Sequence, residues 1–301
     1  MNSNNPRQRI YGNTKIMKYV RKKTSIFLVT TLAALLCIAI AGSTQDVPEG
    51  AATAAEPVDM AFLLLQVQSD LQGSLADMEF DVANASQDLS GTGLEGARAQ
   101  KILSKLLESN SNLVEAVTFS KDGKILSAEC KGCEGGVGAD ISSQVHIAHV
   151  IKAKTPALSG EFLTVEGYNG TALAFPVFSR EGEFLGGISA IFEPDKLMRA
   201  LVVSRLSGTN YSIFVMQTDG LIVYSSDADQ IGNNLLEDPL YKPFPSLLTL
   251  VKKMVDKRSG YGNYDFQVTK SNKTIVTKEL YWTTAGLYDR ELRLAVYRII
   301  N

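Results

Sequence analysis

Histidine and cysteine are scarce in this chain, which contains two His and three Cys among 301 residues. The common catalytic motifs are also missing, since neither a Gly-x-Ser-x-Gly nucleophile elbow nor a phosphate-binding P-loop occurs. The segment from His146 to His149 lacks the Glu that acts as general base in the helix of metalloproteases. The sequence therefore predicts a protein that is not an enzyme.

Acidic residues are absent from positions 1–41, which contain seven basic residues. Without those seven, the remaining chain has 23 basic and 32 acidic residues, a net charge of −9. A body this acidic repels phosphate backbones. Nucleic acid is therefore excluded as an expected partner.

An uncharged, largely apolar run follows the basic cluster and extends from Ser25 to Ala41. Its length lies between that of a signal-peptide core and that of a membrane-spanning helix. Ala39-Ile40-Ala41 has the form of a signal-peptidase site. We expect residues 1–45 to be a cleaved signal peptide or a retained signal anchor, with residues 24–42 in the membrane. In both cases the rest of the chain is extracytoplasmic, membrane-anchored or secreted, because the basic flank stays inside.

Two later stretches share one pattern, in which apolar runs flank Asp122-Gly123 and Asp219-Gly220. Asp-Gly suits a tight hairpin turn because Gly accepts a positive φ without a steric clash. A predicted helix and three predicted strands follow each hairpin. This order predicts two copies of one small domain.

A long helix is predicted before the first hairpin, within a segment (46–110) that also contains a linker and a second helix. Apolar or small residues recur every three or four positions from Met60 to Leu89, which indicates one helix of about eight turns. Asp59 or one of the residues just before it is the expected N-cap, and the second helix is predicted at 94–109. The predicted later helices are 140–152, 196–205 and 245–257. The predicted later strands are 161–165, 171–178, 184–192, 261–268, 274–281 and 292–299, and 282–290 is expected to be turn-like.

This order of elements resembles the double-Cache family of extracytoplasmic sensor domains. The resemblance also depends on Val-Gly-Ala-Asp at 137–140 and Ile-Gly-Asn-Asn-Leu at 231–235, each following one of the hairpins. It implies an α+β fold in which a long N-terminal helix precedes two PAS-like antiparallel-sheet modules. The membrane-distal module would span 111–205 and the membrane-proximal module 206–301.

The resemblance implies a small-molecule-binding sensor that takes part in signal transduction. Double-Cache receptors usually have a second membrane span and a cytoplasmic output domain, but no second apolar run is found here. We therefore expect a sensor module that lacks its own output and acts through a membrane signalling partner. The amine-binding members carry an Arg, Trp and Tyr cluster on the first-module helix and a late Asp. Residues 142–147 and Phe192 do not match them, so amino-acid binding is not implied.

The usual pocket of this fold lies between the first-module sheet and the loop and helix that cover it. The residues predicted to line it are aromatic or imidazole side chains: His146, Phe162, Tyr168, Phe175 and Phe192.

Four residues of metal-binding types, two Cys and two His, occur within twenty positions, as Cys130-x2-Cys133-x12-His146-x2-His149. Zn²⁺ takes four such ligands, and the spacing is close to a zinc-finger pattern. Outside the cytosol a Cys130–Cys133 disulfide with independent histidines is favoured over this metal site. The alternative function is a secreted metal-binding or thiol-redox protein, and the cofactor, zinc or another metal, stays open.

Overall fold

The computed structural model of the protein describes residues 59–131 and 136–300. Within these residues, two helices precede the first strand. Helix α1 spans Met60–Ser90 and helix α2 spans Gly96–Ser109. The Asp59 carboxylate accepts hydrogen bonds from the backbone N–H groups of Ala61 and Phe62, at 2.8 and 3.0 Å, and so caps α1. The predicted leader, linker and membrane segment, as well as Cys133, lie outside the described residues. Within the part that the structure describes, no helix is both long and apolar enough to cross a membrane.

The remaining elements form two antiparallel sheets. The strands of the first sheet are β1 (Leu113–Ser120), β2 (Ile125–Cys130), β3 (Ala157–Leu158), β4 (Phe162–Leu163), β5 (Asn169–Phe178) and β6 (Phe184–Phe192). Those of the second sheet are β7 (Ser212–Gln217), β8 (Ile222–Ser225), β9 (Gly260–Gln267), β10 (Ile275–Leu287) and β11 (Arg290–Ile299). The other helices are α3 (Val145–Ala153), α4 (Pro194–Leu206) and α5 (Pro245–Asp256).

The two sheets have the same strand order. The first runs β2-β1-β6-β5-β3, with β4 pairing to β5, and the second runs β8-β7-β11-β10-β9. The order of the strands along the chain and their order within the sheet are therefore both repeated, as expected for a duplicated module. The predicted α+β fold, a long helix followed by two PAS-like sheets, is confirmed.

The loop after each hairpin repeats in atomic detail. In the first module the N–H of Gly138 donates to the carbonyl of Ile125, and the N–H of Ile125 donates to Ala139, both at 2.9 Å. In the second module Gly232 and Ile222 form the same pair of bonds, with Ile222 donating to Asn233, again at 2.9 Å. Gly138 and Gly232 have φ values of 90° and 82°, which explains why both motifs contain glycine.

One hydrophobic core joins α1 to both sheets. It contains the apolar stripe of α1 that the periodicity predicts, including the fully buried Val67 and Val82, together with side chains from β5, β6, β7 and β11. The other face of the first sheet packs on α3, and the other face of the second sheet packs on α5. Each sheet therefore has a face directed to α1 and an outer face covered by its own module.

Two predicted boundaries are wrong. Strand β10 continues through the region predicted to be turn-like and ends at Leu287, because Gln68 and Gln72 of α1 hydrogen-bond the backbone of Thr284 and Gly286. Helix α3 begins at Val145 and not at Asp140. The Asp140 carboxylate instead accepts a hydrogen bond from the N–H of Ser142 at 2.9 Å, a local turn that competes with the helix.

Candidate ligand site on the first sheet

Strand register defines the outer face of the first sheet. Glu115 of β1 pairs with Ile191 of β6, which pairs with Ala172 of β5. Directly opposed residues of antiparallel strands point to the same side, so these three share one face. Helix α3 covers this face with the buried side chains of His146 and Ile147.

Glu115 is a carboxylate in the interior of this face, with 2% of its surface exposed. The Tyr168 hydroxyl donates a hydrogen bond to its Oε2 at 2.7 Å. Burial raises the pKa of Glu115 to about 7; the Tyr168 bond opposes this rise and the neighbouring Glu166 adds to it. Burial and the adjacent carboxylates also raise the pKa of Tyr168, which therefore remains a proton donor.

Glu166 brings a second carboxylate to the same place. Its Oε2 is buried and has no hydrogen-bond partner within the described chain. The charge of Glu166 and a side-chain hydrogen bond with it both favour the protonated form of Glu115. Among the described residues, Tyr168 is the one other side chain identified as a donor to this pair.

His146 lies at the start of α3, with 4% of its surface exposed. Its ring centre is 5.1 Å from that of Phe162, and its Nε2 is buried with no hydrogen-bond partner among the described residues. Burial, and to a lesser extent the charge of Arg290, lower the pKa of His146 to about 4. The imidazole is therefore neutral at pH 7, with one ring nitrogen to donate and one to accept.

The structure brings together part of the predicted pocket. His146 and Phe162 are in ring contact, and Tyr168 reaches Glu115 on the face that α3 covers. Phe175 and Phe192 lie on the opposite face, in or against the α1 core, because they alternate with the outward-facing residues of β5 and β6. Phe175 and Phe192 therefore lie apart from the other three candidates, and the role of all five residues in binding stays a prediction.

The structure describes three of the four predicted metal ligands, Cys130, His146 and His149. Cys130 is disulfide-bonded, and a disulfide sulfur is not the thiolate that zinc binds. His149 is half-buried, with its Nε2 2.9 Å from the Thr155 hydroxyl. In 59–131 and 136–300 no group of three or more His, Cys, Asp or Glu residues could hold a metal. The zinc prediction gains no support here, and the pairing of Cys130 with Cys133 stays a prediction.

Glu115 and Glu166 were missed by the analysis of the sequence. A signal for Glu115 was present, because it is the one charged residue in the apolar run from Leu113 to Phe119. Charged residues are seldom fully buried without a partner. No comparable signal marked Glu166, which lies in a polar turn beside Gly167.

The fold has clear counterparts among known proteins. Residues 73–194 match the family model described as HK/GC/Chemotaxis protein-like, sensor domain. An extracellular ligand binding receptor from Desulfohalobium retbaense is 30% identical, with a TM-score of 0.68 over 79% of this chain and 40% of the receptor. The periplasmic sensory domain of the Campylobacter jejuni chemoreceptor Tlp1 is 12% identical, with a TM-score of 0.61 over 79% of this chain and 93% of that one.

A third solved structure is the ligand-binding domain of the Pseudomonas aeruginosa amino acid chemoreceptor PctB with L-Gln. It is 15% identical, with a TM-score of 0.59 over 79% of this chain and 89% of that one. The chain thus spans less than half of the D. retbaense receptor but most of the two isolated sensor domains. No curated protein matches the chain.

These matches confirm the resemblance to double-Cache sensor domains. Residues 73–194 therefore match a sensor-domain family, and the chain has the fold of chemoreceptor sensory domains. The similar proteins are described as an extracellular ligand binding receptor and a periplasmic sensory domain.

Proposed function

We propose that the outer face of the first sheet binds a small molecule that carries a protonated amine. We further propose that the chain reports this binding to a membrane signalling partner and catalyses no reaction. The observation that carries the proposal is the pair formed by the buried Glu115 and the half-buried Glu166, for which Tyr168 is a side-chain donor and whose Glu166 Oε2 has no partner among the described residues.

A cationic ligand matches the electrostatics of the pair. A positive charge within about 4–6 Å lowers a carboxyl pKa by about 1–3 units, so an ammonium group would favour the ionised form of Glu115. The buried Nε2 of His146 supplies a further polar contact. The Phe162 ring beside it supplies an aromatic face, which also attracts cations. The PctB structure contains L-Gln, a ligand with an amino group, in a domain of the same fold.

Contacts between the modules provide a route for the signal. The side chain of Gln217, at the end of β7, accepts a hydrogen bond at 3.1 Å from the N–H of Glu161, next to the Phe162 strand. The Tyr288 hydroxyl, at the tip of the β10–β11 hairpin, donates to Glu79 of α1 at 3.0 Å. A ligand that reorders the β4 segment would therefore act on the second sheet and, through it, on α1.

A thermal-shift screen of the full chain in detergent tests this function. The compounds should be small amines and amino acids, each with a neutral or carboxylate analogue of similar size. Binding to the native state raises the melting temperature, so we expect amines to raise it and their analogues not to do so.

Glu115→Gln and Glu166→Gln should weaken binding of the best amine at least tenfold, whereas Glu108→Gln, at an exposed position on α2, should not. Stabilisation by carboxylates alone, or equal affinity in Glu115→Gln and the wild type, would overturn the proposal.

A further inference from the structure

The outer face of the second sheet contains a buried lysine that the proposed function does not use. Lys278 of β10 lies between Tyr264 of β9 and Ile299 of β11 in the strand register. It shares its face with the buried Leu280 and Trp282, and only 1% of its surface is exposed. Lysine is almost never buried this fully unless its charge is paired.

The Lys278 ammonium has few partners. It has three protons to donate, and its Nζ donates to the carbonyl of Val268 at 3.1 Å. It also lies 4.9 Å from the Tyr297 ring centre and 5.4 Å from the Phe266 ring centre. These contacts stabilise a cation but supply no negative charge.

Among the described residues, no carboxylate forms an ion pair with this ammonium group. Asp227 is the acidic group whose charge acts on it, but the Oδ2 of Asp227 already accepts hydrogen bonds from Gln230 Nε2 at 2.8 Å and from the N–H of Lys270 at 2.6 Å. Burial lowers the pKa of Lys278 to about 8, against the smaller opposing effect of Asp227. The side chain is therefore still mainly protonated at pH 7.

A small cavity of about 20 Å³ lies beside Lys278. A single water molecule needs roughly 10–15 Å³, so the cavity has room for a monatomic ion or a very small molecule. Its polar lining includes Lys278, Tyr264 and Ser225, and its apolar lining includes Phe214 and Leu247. The Ser225 Oγ accepts a hydrogen bond from the N–H of Asp227 at 3.1 Å, which leaves its own proton to donate. Burial raises the pKa of Tyr264, so this hydroxyl is also a donor.

The cavity lies on the face that corresponds to the first candidate site. Ser212 precedes its Asp-Gly turn by the same number of residues as Glu115 does, and it pairs with Tyr297 as Glu115 pairs with Ile191. Tyr297 lines the cavity. The two modules thus present equivalent faces with opposite charge, carboxylates in the first and an ammonium in the second.

We propose that the cavity of the second module binds one small monovalent anion, of about the size of chloride or formate, held by Lys278 and neighbouring hydroxyl groups. Burying an unpaired charge is costly, and an anion in contact with the ammonium removes that cost. The volume excludes larger anions such as gluconate. This site is separate from the amine site and does not depend on it.

Equilibrium dialysis of the full chain with labelled chloride or labelled formate tests the proposal, with gluconate holding the ionic strength constant. We expect saturable binding of one anion per chain. Lys278→Met keeps the side-chain length without the charge and should weaken binding at least tenfold. Lys252→Met, at an exposed position on α5, is the matched control and should bind as the wild type does.

Tyr264→Phe provides a second test if Lys278→Met does not fold, and it should weaken binding while retaining the ring. Glu115→Gln should leave anion binding unchanged, which separates this proposal from the proposed function. Saturable, Lys278-dependent binding of either anion supports the site. Absence of saturable binding for both anions, or equal binding by the wild type and Lys278→Met, overturns it.

Discussion

Titration of Glu115 should lower the stability of the folded protein as the pH rises. The carboxyl has a pKa of about 7 in the folded chain, against an ordinary value of 4.5, because burial disfavours its charged form. Its stabilising contribution is therefore fully present below about pH 4.5 and is lost as the pH rises through 7. As the pH rises from 4.5 to about 7, we expect Glu115→Gln to become more stable relative to the wild type. Urea unfolding at a series of pH values measures this difference.

His146 acts in the opposite direction. Its pKa is lowered to about 4, so the contribution of the neutral ring is lost as the pH falls from 6.5 towards 4. The wild-type profile contains both effects, and the comparison of Glu115→Gln with the wild type isolates one of them. Parallel profiles for these two proteins would show that Glu115 does not titrate as inferred.

Removal of the Tyr168 hydroxyl tests the hydrogen bond to the buried carboxylate. Tyr168→Phe leaves the acceptor of a 2.7 Å bond without its donor, which costs about 1–3 kcal/mol of folding free energy. Tyr261→Phe is the control, because Tyr261 is 64% exposed. Urea unfolding at pH 7 should show the loss in the first variant and almost none in the second. Equal stabilities would contradict the role assigned to Tyr168.

At the residue scale, the sequence predicted the turn residues but not the contacts between side chains far apart in the chain. Asp122 and Asp219 were identified as turn residues because Asp-Gly is a local signal, and Gly123 and Gly220 have the positive φ values that this turn requires. His146 and Tyr168 were predicted as site residues from the resemblance, and their role in binding stays a prediction. The pairing of Glu115 with Tyr168 joins positions 53 residues apart, so no local pattern predicts it.

At the element scale, α1 is the helix on which both sheets depend. Leu75 is 1% exposed in its core, and Leu75→Ala should cost about 2–5 kcal/mol of stability. Leu65 lies on the solvent side of the same helix and is 57% exposed. Leu65→Ala should therefore change stability by less than about 0.5 kcal/mol. Thermal unfolding of the two variants distinguishes them, and similar losses would contradict the packing described.

The sequence predicts those elements whose signal lies within neighbouring residues, and it does not predict those that depend on distant contacts. Helix α1 follows from residues three and four positions apart, because a helix forms one apolar stripe at that spacing. The last part of β10 does not follow from local sequence, because its backbone bonds to Gln68 and Gln72 join residues 216 and 214 positions apart. Strand β3, with two residues, was missed because it has too few residues to show an alternating pattern.

At the scale of the whole molecule, one topology is used twice with different charge. The outer face of the first module contains Glu115 and Glu166, whereas that of the second contains Lys278. A duplicated fold thus retains the strand order and the turn motifs while its two outer faces diverge. This division explains why repeat and fold class could be predicted from the sequence and the chemistry of the faces could not.

The central claim is that ligand binds on the outer face of the first sheet. Hydrogen–deuterium exchange of the full chain, with and without the best amine from the screen, tests it most directly. Bound ligand should slow exchange in β1, in β5 and at the start of α3, around His146, and Glu115→Gln should abolish this protection at the same ligand concentration. Protection confined to α4 or to the second sheet would contradict the account.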